Sequence, residues 1–205
     1  MTAADVGRVP ISHQGDPGEV LERITDVGSS AILAFDGDRH VTQLQFRRYR
    51  PGVKSPRGLH DPLYWGDFDG HAPNLPADTL AIFCYHVGQP DETDARDARY
   101  QGHGLGVRLL DYFLDWAARA GFGAMIAKAV PEVRAVMTFM GGQPASVYQP
   151  RGFEIAASWI DRELQAVVDE KGLAHDAADR NDAARVACCI RRIPRTIITN
   201  EVTSR

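Results

Sequence analysis

Hydrophobic and polar positions follow two different periods along the chain, and the two periods predict a mixture of strands and helices. Residues 80–85 are apolar at every position and are followed by Gly88, which is typical of a strand buried on both faces. We therefore predict a central strand over 79–87. Over 104–120, apolar residues recur at helical spacing opposite a charged stripe, which predicts an amphipathic helix.

The rest of the chain alternates between shorter helices and strands. The patterns predict a helix over 17–27, a hairpin of strands over 31–35 and 39–47, a strand over 123–130, a helix opening at Pro131, a strand over 153–159, a helix over 161–171 and a last strand over 186–193. The acidic stretch 175–185 is predicted to be an exposed loop. Residues 50–79 form a stretch too long for an ordinary connection, and we interpret them as an insertion rich in aromatic residues.

Composition and charge narrow the class of protein. The chain has 205 residues, of which 44% are hydrophobic and 24% charged, so we expect one soluble globular domain over 1–205. A net charge of −4 argues against a broad basic face, and we predict no nucleic-acid partner. The longest apolar run is far shorter than the roughly 20 residues of a membrane span. The start of the chain lacks a cationic segment and an apolar core, so we expect a cytoplasmic protein without membrane contact.

A glycine-rich turn leads into the predicted helix at 104–120. It comprises Gln101, Gly102, His103, Gly104, Leu105 and Gly106. Backbone N–H groups without side chains around them can converge on phosphate oxygens, and the N-terminus of a helix adds partial positive charge. The same glycines would also suit a tight turn or close packing. No Gly-Lys-Ser/Thr follows, so the turn does not have the Walker pattern.

Two motifs resemble those of the GNAT superfamily of acyl-CoA-dependent N-acetyltransferases. Gln101-x-x-Gly104-x-Gly106 is similar to the pyrophosphate loop of that family, (Arg/Gln)-x-x-Gly-x-(Gly/Ala). The segment that begins at Tyr148 is similar to its Tyr-x-x-x-Gly-Phe motif. The resemblance covers about 79–160. It implies an α/β (α+β) fold with a mixed, mostly antiparallel sheet, flanked by helices, whose central strands splay apart.

The resemblance also implies a set of binding residues. The splay between strands 79–87 and 123–130 would admit pantetheine, held by backbone groups of Cys84, Tyr85, His86 and Val87. The pyrophosphate would lie on the turn from Gln101 to Gly106, with Arg108 contributing charge. Tyr148 matches the family's usual general acid, which protonates the departing CoA thiolate, although a packed aromatic residue would also fit this position.

The base that takes a proton from the acceptor is less evident, because strand 79–87 carries no glutamate. His86 is the nearest titratable candidate, unless it is an ordinary core histidine. Cys84 would suit a covalent acyl-cysteine only if a base or cation lay beside its thiol, and is otherwise a buried apolar cysteine. The chain also departs from the family in its acidic stretch 88–100 and in the Gly-Gly-Gln-Pro at 141–144, where an asparagine is common.

These observations predict transfer of an acetyl group from acetyl-CoA directly to an amine, on a small molecule or a peptide, that enters under residues 50–79. Two alternatives remain open: a non-catalytic acyl-CoA-binding or sensor domain, and another nucleotide binder. No metal is expected, because the histidines and aspartates of 60–71 follow no metal-ligand spacing. A homodimer would be compatible with the apolar strand 186–190 at a sheet edge.

Overall fold

The computed structural model describes residues 1–11, 14–93, 95–174 and 177–194; Asp94 of the acidic stretch and residues 175 and 176 of the predicted loop lie outside these ranges. The helices are α1 (Pro17–Val27), α2 (Leu105–Arg119), α3 (Arg134–Met140), α4 (Ala145–Tyr148), α5 (Arg162–Lys171) and α6 (Ala177–Asp182). The strands are β1 (Ala31–Asp36), β2 (Arg39–Arg48), β3 (Thr79–Val87), β4 (Ala124–Ala129), β5 (Glu154–Ile160) and β6 (Arg185–Arg192). Within these ranges, no helix is long and apolar enough to cross a membrane.

The six strands form one sheet in the order β1-β2-β3-β4-β6-β5. Among the neighbouring strand pairs of the described residues, only β3 and β4 run parallel, so the predicted mixed, mostly antiparallel sheet is confirmed. The prediction that strand 186–190 lies at a sheet edge is wrong, because β6 pairs with β4 on one side and β5 on the other. An apolar strand is expected in the interior of a sheet, and the exposed edges here are β1 and β5.

The central strands part as predicted. β3 pairs with β4 only from Thr79 to Ile82, although β3 continues to Val87. The chain segment 141–143 lies in the gap beyond this point. The N–H of Tyr85 donates to the carbonyl of Gly141 at 3.1 Å, and the N–H of Val130 donates to the carbonyl of Gln143 at 3.1 Å. The gap is therefore bridged by a short piece of backbone from the same chain.

A β-bulge interrupts β3 where the gap begins. Ile82 pairs with Phe46 and Cys84 pairs with Gln45, so Phe83 has no partner residue on β2. An extra residue reverses the alternation of side chains along a strand. Consequently Phe83 and Cys84 both pack on the same side of the sheet, whereas Ile82 and Tyr85 pack on the other.

The two faces of the sheet are covered differently. α2 packs its apolar stripe on one face, where Leu109, Leu110, Phe113, Leu114 and Ala117 are buried. The insertion 50–79 covers the other face together with α3 and α5. Residues 50–78 of the insertion contain no strand or α-helix, and their regular structure consists of short 3₁₀ turns, whereas Thr79 already belongs to β3.

A buried polar network ties the insertion to the sheet. The Lys128 ammonium on β4 donates to the carbonyl of Tyr64 at 3.1 Å and lies 3.5 Å from a carboxylate oxygen of Asp161. The Tyr64 hydroxyl donates to Asp161 at 2.6 Å. Lys128 also lies over the Tyr64 ring, 4.2 Å from its centroid. Burial lowers the pKa of Lys128, and the negative charge of Asp161 acts against that change.

Most predicted boundaries lie within one residue of those in the structure, but two predictions were wrong by more. α3 begins at Arg134 rather than Pro131, because Val133 has extended backbone with φ −112° and ψ 115°. The stretch expected as an exposed loop over 175–185 contains α6, and Ala183 and Ala184 directly after it are fully buried. The alanines in this stretch favour a helix, and the burial of Ala183 and Ala184 outweighs the acidic composition on which the loop prediction rests.

Candidate active site

The glycine-rich turn lies at the N-terminus of α2, as the sequence predicts. Gly102 and Gly104 have left-handed backbone, with φ of 75° and 70°, and no atom lies within 4 Å of where a Cβ would sit on either. Gln101 and His103 are exposed, Leu105 is partly buried and Gly106 is buried. This turn therefore presents open backbone at the positive end of a helix of 15 residues.

The segment 141–143, which bridges the gap in the sheet, also reaches the N-terminus of α2. A Cβ on Gly106 would lie 2.7 Å from the Nε2 of Gln143 and 3.6 Å from the ring of Tyr85. The side chain of Gln143 thus packs against the first turn of α2. The turn, the gap in the sheet and the segment 141–143 are parts of one contiguous region.

Tyr148 lies at the end of α4 with 1% of its surface exposed. Its hydroxyl donates to the hydroxyl of Tyr85 at 3.2 Å. Burial and the neighbouring Tyr85 hold the pKa of Tyr148 well above its usual value, so the phenol keeps its proton. From the sequence, only the backbone of Tyr85 is expected to take part, whereas in the structure its hydroxyl is the hydrogen-bond partner of Tyr148.

The four residues expected to hold pantetheine differ in their positions and contacts on β3. On β3, the N–H of Tyr85 faces the gap and is taken by Gly141. Val87 lies at the end of the strand opposite Thr42 and is partly exposed. Cys84 and His86 direct their side chains away from α2, towards the insertion side of the sheet.

A cavity of about 510 Å³ lies between β3 and the insertion. β3 contributes Phe83 and Cys84 to its wall, and α3 contributes Phe139 and Met140. The insertion supplies Leu59, His60, Asp61, Pro62 and Trp65. The insertion therefore covers a cavity beside the central strand, as its aromatic content suggested. Across the part of the chain that the structure describes, no cluster of three metal-ligating side chains occurs.

Cys84 and His86 form a hydrogen-bonded pair beside this cavity. The Sγ of Cys84 lies 2.9 Å from Nε2 of His86, and Nδ1 of the same ring contacts Oε1 of Gln89. The amide nitrogen of Gln89 donates to the carbonyl of Thr93 at 2.7 Å, which leaves its oxygen facing the histidine. An oxygen at Nδ1 requires a proton on Nδ1, so Nε2 is the accepting nitrogen that faces the thiol.

The acidic stretch 88–100 supplies two side chains to the site that are not expected from the sequence. It closes on itself, because the N–H of Asp97 donates to the carbonyl of Gly88 at 2.6 Å. From within it, Gln89 reaches His86, and Arg96 lines the cavity that Cys84 also lines. Only the unusual length of this stretch signalled a role, since nothing in its composition shows which side chains turn inward.

A second cavity, of about 280 Å³, is lined by Arg23 and Arg47, whose guanidinium groups lie over the Phe83 ring. Arg47 lies over this ring at 5.2 Å and donates to the carbonyl of Leu63 at 2.9 Å. Arg23 lies over the same ring at 5.6 Å. Burial, with the nearby charge of Arg23 adding to it, lowers the pKa of Arg47 to about 10. The acidic residues Glu19, Glu22 and Asp26 line the same cavity, so it has no single sign of charge.

Known proteins resemble this chain in structure rather than in sequence. No model of a known protein family matches the sequence, and no curated protein matches it significantly. The yncA protein of Salmonella typhimurium, solved with its cofactor acetyl-CoA, matches with a TM-score of 0.52 at 15% identity, over 95% of this chain and 92% of its own. The acetyltransferase of the GNAT family from Streptococcus pneumoniae matches with a TM-score of 0.50 at 14% identity, over 95% and 96%. At these identities the likeness establishes the fold.

Proposed function

The chain has the fold of the GNAT acetyltransferases, and from that premise we propose that it transfers an acetyl group from acetyl-CoA to an amine. The observation that carries the proposal is the exposed glycine-rich turn at the start of α2, which lies next to the gap between β3 and β4. A fold by itself does not define an activity. Here the turn would hold the pyrophosphate of acetyl-CoA and the gap would hold its pantetheine.

The cofactor would be held by backbone groups at both places. Pyrophosphate oxygens would accept hydrogen bonds from the N–H groups of residues 101–106, where the helix end adds favourable charge. Pantetheine would lie along the end of β3 and take the N–H of Tyr85 from Gly141. This exchange replaces one hydrogen bond by another, so the cost lies in moving the segment 141–143.

The acceptor would enter the cavity under the insertion, on the opposite side of the sheet from α2. This cavity reaches the end of β3 through Cys84, close to where the thioester of acetyl-CoA would lie. An amine of a small molecule or of a peptide fits the proposal equally well. In direct transfer the amine attacks the thioester carbonyl, His86 receives its proton and Tyr148 protonates the CoA sulfur.

Binding of the cofactor tests the proposal without an acceptor. Acetyl-CoA and CoA, at about a hundred times their dissociation constant, should each add about 2.7 kcal/mol to the unfolding free energy and raise the melting temperature by several degrees. NAD and ATP serve as comparisons. If NAD or ATP raises the melting temperature and the CoA compounds do not, the glycine-rich turn is a different nucleotide site. Release of thiol with any amine would exclude a non-catalytic sensor.

Replacement of Gly104 tests whether the turn is the binding site. Asp and Asn both tolerate left-handed backbone and have nearly the same shape, so they differ mainly in charge. We expect Gly104→Asp to bind acetyl-CoA at least roughly tenfold more weakly than Gly104→Asn, about 1.4 kcal/mol, because its carboxylate would oppose the pyrophosphate. Titration calorimetry of both variants measures the difference. Equal affinities would place the pyrophosphate elsewhere.

A further inference from the structure

The side chain that meets the cavity on β3 is the thiol of Cys84 rather than the ring of His86. Cys84 lines the cavity, whereas His86 is 1% exposed and does not. The accepting nitrogen of His86 is 2.9 Å from Sγ of Cys84. A proton that passes from the cavity to His86 along this contact therefore passes through the thiol.

Two groups that can each activate a cysteine, a base and a cation, lie near this thiol. His86 is a base in hydrogen-bond contact with the thiol, and Gln89 holds its ring in the tautomer that can accept a proton. Arg96 lines the same cavity and places a cation near the sulfur. Burial raises the pKa of Cys84 to about 12, and the charge of Arg96 acts against that change. The resting group is thus a thiol that has to lose its proton as it reacts.

We propose that Cys84 is the nucleophile of a two-step transfer and carries the acetyl group as a thioester, with His86 as its base and Gln89 as the residue that positions His86. This inference rests on the proposed function, because acetyl-CoA supplies the acetyl group. β3 separates from β4 after Ile82, two residues before Cys84, so the thioester of a cofactor in the gap would arrive beside Sγ.

In the first step, Sγ of Cys84 attacks the carbonyl carbon of acetyl-CoA while its proton moves to Nε2 of His86. The bond between that carbon and the CoA sulfur breaks, and the sulfur takes a proton from the hydroxyl of Tyr148. Proton exchange with solvent then returns His86 to its neutral form and Tyr148 to a phenol. The products are acetyl-Cys84 and CoA, and no oxidation or reduction occurs.

In the second step, the acceptor nitrogen attacks the carbonyl carbon of acetyl-Cys84. The bond between the carbon and Sγ breaks, and the departing Sγ, which keeps its contact with Nε2 of His86, takes the proton that the amine loses. The amide leaves and the free thiol is restored. The sum of both steps is acetyl-CoA plus amine giving CoA plus acetylated amine.

The acyl-enzyme should form without any acceptor. Wild-type protein is mixed with acetyl-CoA alone, quenched in acid and examined by intact mass and peptide mapping. We expect one acetyl group per chain, located on Cys84, with release of one equivalent of CoA thiol in a rapid burst. An acetyl group found on another residue, or no acetyl group on protein that turns over with an amine, would overturn the proposal.

Cys84→Ala should lose the burst and lower turnover with an amine by roughly a hundredfold or more. Cys188→Ala is the matched control, because Cys188 is fully buried on the same side of the sheet and burial also raises its thiol pKa to about 12. This control should keep both the burst and the turnover. Peptide mapping of the wild-type protein decides the site even if Cys84→Ala does not fold.

The positioning role of Gln89 predicts a change in pH dependence. A carboxylate beside Nδ1 stabilises the imidazolium, so Gln89→Glu should raise the pKa of His86. The burst rate of this variant should then rise towards its maximum at higher pH than in the wild type. An unchanged position of the pH profile would show that the burst does not depend on the ring that Gln89 contacts, and would overturn the roles of His86 and Gln89.

Different results would overturn the proposed function and the covalent step. If acetyl-CoA does not raise the melting temperature, the proposed function is wrong and the acyl-enzyme with it. If acetyl-CoA binds and an amine is acetylated while Cys84→Ala keeps full turnover, the transfer is direct. In that case the proposed function stands and the covalent step is overturned.

Discussion

Asp161→Asn is expected to lower the free energy of unfolding by about 3 kcal/mol or more, which corresponds to a fall in melting temperature of roughly 10 °C. The side chains of Lys128 and Asp161 are 3% and 9% exposed, so the substitution leaves an ammonium in the core without its carboxylate. Asparagine is chosen because it can still cap α5, where Asp161 accepts from the N–H of Leu164 at 3.2 Å. Urea denaturation of both proteins measures the change.

Two comparisons isolate the charge effect. Asp169→Asn removes an exposed carboxylate on the same helix, 3.7 Å from Arg180, and should cost at most about 0.5 kcal/mol. Combining Lys128→Met with Asp161→Asn removes both charges and should recover much of the loss, because neither charge of this pair is then left without its partner in the core. If Asp161→Asn costs no more than Asp169→Asn, the buried pair does not secure the insertion to the sheet.

Tyr148→Phe should lower turnover by roughly a hundredfold and leave the affinity for acetyl-CoA almost unchanged. The substitution removes only the hydroxyl, which donates to Tyr85 at 3.2 Å and under the proposed mechanism protonates the CoA sulfur. The phenyl ring keeps the contact with Phe153, whose centroid lies 5.1 Å away. Steady-state release of thiol measures turnover, and calorimetry measures binding.

A second tyrosine serves as the control for this experiment. Tyr112 lies on α2 and is 69% exposed, so Tyr112→Phe should change neither turnover nor binding. Wild-type turnover in Tyr148→Phe would show that Tyr148 acts only as a packed side chain. A parallel loss of affinity and turnover would instead place the hydroxyl among the groups that bind the cofactor.

Local patterns were sufficient to predict most elements of this fold. β3 was predicted without error because a run of apolar residues ends there at a glycine, and α1 because Asp16 and Gly28 mark its two ends. Each of these signals involves residues close in sequence. The order of strands depends on distant pairing, and for that reason β6 was wrongly expected at an edge.

In the candidate site, too, features set by neighbouring residues could be predicted and features set by distant contacts could not. The glycine-rich turn and Tyr148 belong to compact motifs, and their positions could be read from the sequence. The side of the sheet on which the Cys84 side chain lies depends on the bulge at Phe83. A run in which every residue is apolar gives no signal for such a bulge. The contacts of Gln89 and Arg96 depend on how the acidic stretch folds back, which periodicity does not describe.

The segment 141–143 in the gap has a consequence for how fast the cofactor would bind. If pantetheine has to replace Gly141 on the N–H of Tyr85, the observed association rate should level off at high acetyl-CoA concentration, at the rate with which the segment moves aside. The measured dissociation constant would exceed the intrinsic one by the reciprocal of the open fraction. Gly141, with φ of 62° at the end of α3, is the natural pivot for this movement.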